Sequence, residues 1–170
     1  MILMAYRHRD AKTLAVLTLA VSAGILGTVY ASQYLGGLQP CNLCLYQRWP
    51  WWIAGAIAAI AAFAPVNVAA RYGLCALAGL SILVGAGIAI YHTGVEQHWW
   101  AGPSACAAGS IPTSLADLQR MMAVPVVPCD KPAWTLFGVS MAGYNAVFSL
   151  LFGGFVAVRG IRGLRGADSR

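Results

Sequence analysis

The chain has 170 residues, 59% of them hydrophobic and only 9% charged. A soluble domain is roughly 45–50% apolar and about 25% charged, so water is not the main solvent of this one. Its net charge of +6 is divided between chain ends and loops instead of forming one basic patch, which argues against nucleic acid as a partner and for a small integral membrane protein.

Four charge-poor segments follow one another at residues 13–34, 45–64, 72–95 and 134–158. Each has about 20 or more residues, which at a rise of about 1.5 Å crosses a hydrocarbon core of roughly 30 Å. Barrel strands are about half that length and alternate polar with apolar, so the pattern predicts an all-α, four-helix transmembrane bundle as a single membrane domain, 1–170. The first segment follows Arg7, Arg9 and Lys12 and contains Val29-Tyr30-Ala31, which faintly resembles a cleavage site. No charged residue occurs from Thr13 through Gln47, however, far beyond the roughly 7–15 residues of a signal h-region, so a retained anchor is expected.

The second segment is entered through Cys41-Asn42-Leu43-Cys44, with Arg48 and Pro50 just behind. Starting it at Trp49 would leave only 16 residues to Ala64. That is about 24 Å and short for the core, so an earlier start is expected, with Pro50 as a kink. A loop at 96–133 holds Pro103, Pro112, Pro125, Pro128 and Pro132 and reads as an extended reach. Within it, Ser114 to Met122 sets Leu115, Leu118 and Met122 on one face, a candidate short interfacial helix. Small residues recur every four positions (Ala20, Gly24, Thr28, Ser32; Ala54, Ala58, Ala62; Ser81, Gly85, Ala89; Gly138, Ala142, Ala146), as in helices that approach closely in lipid.

Eight basic residues lie at the termini and at the short turn around Asn67, against Arg48, Arg120 and Lys131 on the other side. The positive-inside bias then sets both termini in the cytoplasm and the loops 35–44 and 96–133 outside, in a bacterium the oxidising periplasm. Cys41, Cys44, Cys106 and Cys129 fall in those two loops, while Cys75, near the inner start of the third span, reads as a small packing residue. Structural staples are one reading of the four outward cysteines, but a Cys-x-x-Cys bridge closes too small a loop to restrain much chain entropy. A zinc site lacks its second knuckle, because Cys106 and Cys129 are 23 positions apart. Redox exchange is the reading that uses the tight pair, and no metal is expected.

Arg48 carries its own signal: a cation outside and near a helix N-terminus opposes both the topology bias and the helix dipole, so negative charge should compensate it. If one helix contains both, residues four apart would set Arg48 beside Cys44. His92, near the outward end of the third span, is a candidate for the same site or a hydrogen-bonded interface histidine. His98, Trp99 and Trp100, with Trp49, Trp51 and Trp52, look like an interfacial belt, and Asn145 like interhelical glue.

The run Pro40 through Pro50, the Gly102-Pro103-Ser104-Ala105-Cys106 stretch, and Cys129-Asp130 leading to Trp134, Phe137-Gly138 and Ser140-Met141-Ala142 together resemble the DsbB family of bacterial disulfide bond formation proteins. The resemblance extends over the whole chain and implies an inner-membrane oxidoreductase. Such an enzyme reoxidises a periplasmic thioredoxin-like dithiol oxidase of the DsbA type and passes the electrons to ubiquinone or menaquinone. It further implies that Cys106 is attacked by the partner's thiolate, that Cys129 is released, and that Cys41 and Cys44 reoxidise the loop pair, with Cys44 and Arg48 next to the quinone, whose ring Trp49, Trp51 and Trp52 could also flank. The alternatives are a quinone-linked reductase of the vitamin K epoxide reductase type and a non-enzymatic tetraspan scaffold with stapled loops.

Overall fold

The computed structural model describes residues 2–103, 106, 114–116, 119 and 127–168. The helices are α1 (Ile2–Tyr34), α2 (Asn42–Tyr46), α3 (Arg48–Phe63), α4 (Val68–Glu96) and α5 (Met141–Asp168), with a two-stranded antiparallel hairpin, β1 (Thr135–Leu136) and β2 (Val139–Ser140), directly before α5. Among the described residues, three helical stretches are long and apolar enough to cross a membrane: Ala5–Tyr34, Val68–Glu96 and Met141–Ala167. The interfacial-helix candidate Ser114–Met122 lies largely outside the described residues.

Helix α4 is the centre of the bundle and packs along α5, α3 and α1. It meets α5 almost backbone to backbone: a Cβ on Gly79 would lie 2.4 Å from the Ala157 nitrogen, and one on Gly160 2.5 Å from that of Ala76. In lipid, where no hydrophobic force drives helices together, such close packing is a main source of their association. At the inner turn, Asn67 caps α4 by accepting the Ala70 amide at 2.8 Å. The buried Arg71 donates to the carbonyls of Ala61, Ala62 and Ala64, satisfying the C-terminal end of α3 against its dipole.

Four expectations change. Helix α3 begins at Arg48 and Pro50 lies in its first turn, where a missing N–H costs no intrahelical bond, so the chain breaks at Gln47 and Pro50 is not a mid-helix kink. The 16 residues of α3 fall short of the three spanning helices. Residues 134–140 are not helical, because Phe137 and Gly138 take positive φ (50° and 77°) and turn the hairpin; α5 starts at Met141. In α1 the buried face is Ala11, Ala15, Thr18, Ser22 and Leu26, whereas Ala20, Gly24 and Thr28 face outward. The stripes Ala54, Ala58, Ala62 and Ala142, Ala146 are buried.

Candidate functional site

Cys41 ends an extended stretch behind Pro40 and is the N-cap of α2. One turn of helix then folds Cys44 back over it. The two sulfurs lie 2.9 Å apart as free thiols, and the Cys44 amide donates to Cys41 Sγ at 3.3 Å. On the facing helix α4, His92 brings Nε2 to 3.5 Å from the same sulfur. Three polar groups, the Cys44 thiol, the Cys44 amide and the His92 ring, thus converge on Cys41. The Cys44 thiol, and behind it His92, hold Cys41 well below the usual thiol range although burial opposes this; Cys44, the partner left holding the proton, is pushed up. In this arrangement the hydrogen bonds favour negative charge on Cys41 over Cys44.

Cys106 and Cys129 form a disulfide, and it packs with Cys41, Leu43 and Val95 into one cluster that Cys44 borders. The sequence reads this loop as an extended reach, yet Cys106 is 5% exposed and Cys129 0%. The sulfurs are apolar enough to dock on Leu43 and Val95, and the start of the loop is tied to α4. Trp100 stacks on Tyr91 at 5.9 Å and donates to the Tyr91 carbonyl at 2.9 Å, while Tyr91 donates to Ala101.

A cavity of about 650 Å³ opens beside the thiol pair. Its walls include Ile25, Leu26, Val29 and Phe148, and its polar residues include Cys44, Gln47, Arg48, His92, Glu96 and Asn145. Arg48 and Cys44 both line this cavity. The Arg48 guanidinium turns to α1, donates to Gln33 Oε1 at 2.7 Å and lies 4.8 Å over the Tyr30 ring. Trp51 does not belong to an exposed belt: it is 2% exposed, lines the cavity and donates to Asn145, whereas Trp49, Trp52, Trp99 and Trp100 are exposed.

Sequence reading missed Gln47, Gln33 and Glu96. Gln47 is buried between His92 and Asn145, with its amide 2.7 Å from His92 Nδ1. Glu96 is buried one turn beyond His92, its Oε1 3.8 Å from Nε2, and its other oxygen accepts from Ser140. The i, i+4 relation of His92 and Glu96 on one span was the available signal. Cys41, Cys44 and His92 bring three ligand atoms within 4.8 Å, one short of the four that a structural zinc takes.

Two cysteine pairs in one cluster at the end of a helical membrane bundle define a thiol–disulfide membrane protein. The family model for disulfide bond formation protein DsbB matches residues 11–159, and the chain belongs to that family. It is 30% identical to disulfide bond formation protein B of Alkalilimnicola ehrlichii over 162 residues, covering 85% of this chain and 94% of that one. With the protein of the same name from Aromatoleum aromaticum it shares 32% over 136 residues, 75% and 79% of the two chains. An uncharacterized protein, RP370, of Rickettsia prowazekii is 28% identical over 144 residues, 82% and 81%. No solved structure matches.

Proposed function

We propose that the chain is a protein-dithiol:quinone oxidoreductase of the bacterial inner membrane, which reoxidises a soluble, thioredoxin-like periplasmic dithiol protein of the DsbA type. One observation carries this reading: Cys41 touches the same cluster as the Cys106–Cys129 disulfide, while its partner Cys44 lines an apolar cavity. The two pairs can then divide the work, one meeting protein and the other meeting a lipid-soluble oxidant.

In the proposed sequence a thiolate of the partner attacks Cys106, the Cys106–Cys129 bond breaks, and Cys129 leaves as a thiolate. The partner's second thiolate resolves the mixed disulfide and leaves oxidised. The loop dithiol next reduces a Cys41–Cys44 disulfide, which gives the arrangement of one loop disulfide and one thiol pair described above. Because Cys106 and Cys129 are buried, the partner has to lift this part of the loop before it can react. The cavity suits ubiquinone or menaquinone, with aliphatic and aromatic walls for the ring and tail and Arg48, Gln47 and His92 as polar groups. When bound, the quinone accepts two electrons and two protons. Cys41 and Cys44 supply the electrons on closing to a disulfide, and Arg48 supplies fixed positive charge where oxygen becomes anionic.

The charge pattern supports cytoplasmic termini and periplasmic Cys pairs, with residues 45–64, entered through α2 and formed mainly by α3, as a fourth membrane-crossing unit. Purified protein given a reduced thioredoxin-like dithiol protein and a quinone should lower the quinone absorbance only when both are present. Oxidation of the dithiol protein without loss of quinone absorbance would overturn the reading.

A further inference from the structure

The buried polar side chains behind Cys41 form one unbroken line. Trp51 Nε1 reaches Asn145 Oδ1 at 3.2 Å, Asn145 Nδ2 reaches Gln47 Oε1 at 2.6 Å, Gln47 Nε2 reaches His92 Nδ1 at 2.7 Å, and His92 Nε2 reaches Cys41 Sγ at 3.5 Å. Most of these links have no direction of their own. An asparagine or glutamine amide can be turned end for end, and a neutral imidazole carries its single proton on either nitrogen.

Trp51 is different, because an indole N–H only donates. The Asn145 atom facing it must be the oxygen, so the amide nitrogen of Asn145 points at Gln47. The Gln47 atom that meets it must in turn be oxygen, and Gln47 therefore offers its NH₂ to His92. Nδ1 has to accept, and the proton of the neutral ring belongs on Nε2, aimed at Cys41. Two neighbours agree with this direction: Ser149 donates to the same Asn145 oxygen at 3.1 Å, and the Glu96 carboxylate, 3.8 Å from Nε2, also calls for a hydrogen there.

We propose that Trp51, acting through Asn145 and Gln47, sets the tautomer of His92 so that the ring presents Nε2–H to the Cys41 sulfur as a fixed donor to its thiolate. Trp51, Asn145 and Gln47 are positioning residues; none of them touches that sulfur. The opposite tautomer would set a bare nitrogen lone pair against the sulfur, so polarity chosen in the bundle interior decides whether Cys41 can hold charge. The functional meaning rests on the redox reading above, whereas the tautomer itself does not.

The test uses full-length protein with isotope-labelled histidine nitrogens, in which NMR separates protonated from bare ring nitrogens. The chain has three histidines, and His92→Phe assigns the one in question. Because the Cys41 thiolate would itself attract a proton to Nε2, the comparison is made in Cys41→Ala protein. There His92 should carry its proton on Nε2 alone. Adding Trp51→Phe, a change that leaves the ring's own neighbours in place, should make the Nδ1–H form appear, and Gln47→Leu should do the same. With Cys41 present, Trp51→Phe should slow alkylation of Cys41 severalfold at neutral pH. A proton on Nδ1 in the parent protein, or a tautomer unmoved by Trp51→Phe, overturns the proposal. The parent measurement decides even where a variant fails to fold. Quinone reduction that proceeds normally with an inverted tautomer sinks only this inference, and the stated tautomer without any quinone reduction sinks only the functional reading.

Discussion

Replacing Cys44 by alanine tests where the negative charge of the thiol pair resides. Cys41 Sγ receives the Cys44 thiol at 2.9 Å, the Cys44 amide at 3.3 Å and His92 Nε2 at 3.5 Å, against a burial that leaves Cys41 4% exposed. Cys44→Ala keeps the amide and removes the nearest donor. A hydrogen bond to a charged group contributes about 1.5–3 kcal/mol, and one pH unit corresponds to about 1.4 kcal/mol, so the onset of thiolate at Cys41 should rise by roughly one to two units. His92→Leu should move it the same way by about one unit or less, since its bond is longer. The assay is the rate of alkylation by iodoacetamide against pH in fully reduced protein, with the Cys41 peptide quantified by mass spectrometry. If the onset stays in place or falls in Cys44→Ala, the charge belongs to Cys44 and the hydrogen-bond reasoning is wrong. The same pair sets a stability profile. Cys41, depressed in the fold, contributes stability that is complete above the unfolded thiol value of about 8.5 and is lost as pH falls through its folded value. Cys44, raised in the fold, costs stability above about 8.5, where the unfolded thiol ionises and the folded one does not. Reduced protein should thus be most thermostable near pH ~8.5, and Cys44→Ala should lessen the alkaline decline.

Arg48→Ala removes the bond to Gln33 and the contact with Tyr30, and should lower kcat/KM for quinone about tenfold, on the order of 1.4 kcal/mol, while leaving exchange at Cys106 nearly untouched. Arg48→Lys should recover only part of this, because lysine keeps the charge and loses the planar fork; equal constants in all three proteins would reduce Arg48 to an interface anchor. Cys129→Ala should accumulate a mixed disulfide between Cys106 and the dithiol protein, and Cys106→Ala should capture nothing; the opposite result on a non-reducing gel reverses the order of attack. Gly79→Ala should destabilise the bundle by about 1–3 kcal/mol, because its Cβ would lie 2.4 Å from the Ala157 nitrogen. Gly24→Ala, with nothing within 4 Å, should not lower the melting temperature, and equal losses in both would mean that the α4–α5 approach is not as close as described.

Composition and charge were enough to establish a helical membrane protein, because apolar runs of this length have few other solutions in lipid. The Cys-x-x-Cys pair was legible for a similar reason: its spacing closes in one helical turn whatever surrounds it. Tertiary structure alone decided which of two small-residue stripes on α1 faces inward, since Ala11, Ala15, Thr18 and Ser22 repeat as regularly as Ala20, Gly24 and Thr28. It also decided that Arg48 turns to Gln33 on α1 and that the loop disulfide is buried, outcomes that depend on partners 15 residues away for the arginine and on a docking surface formed by Leu43 and Val95. Gln47 and Asn145, 98 positions apart, could be linked only by folding, because a hydrogen-bonded line through three helices has no period for a sequence to display.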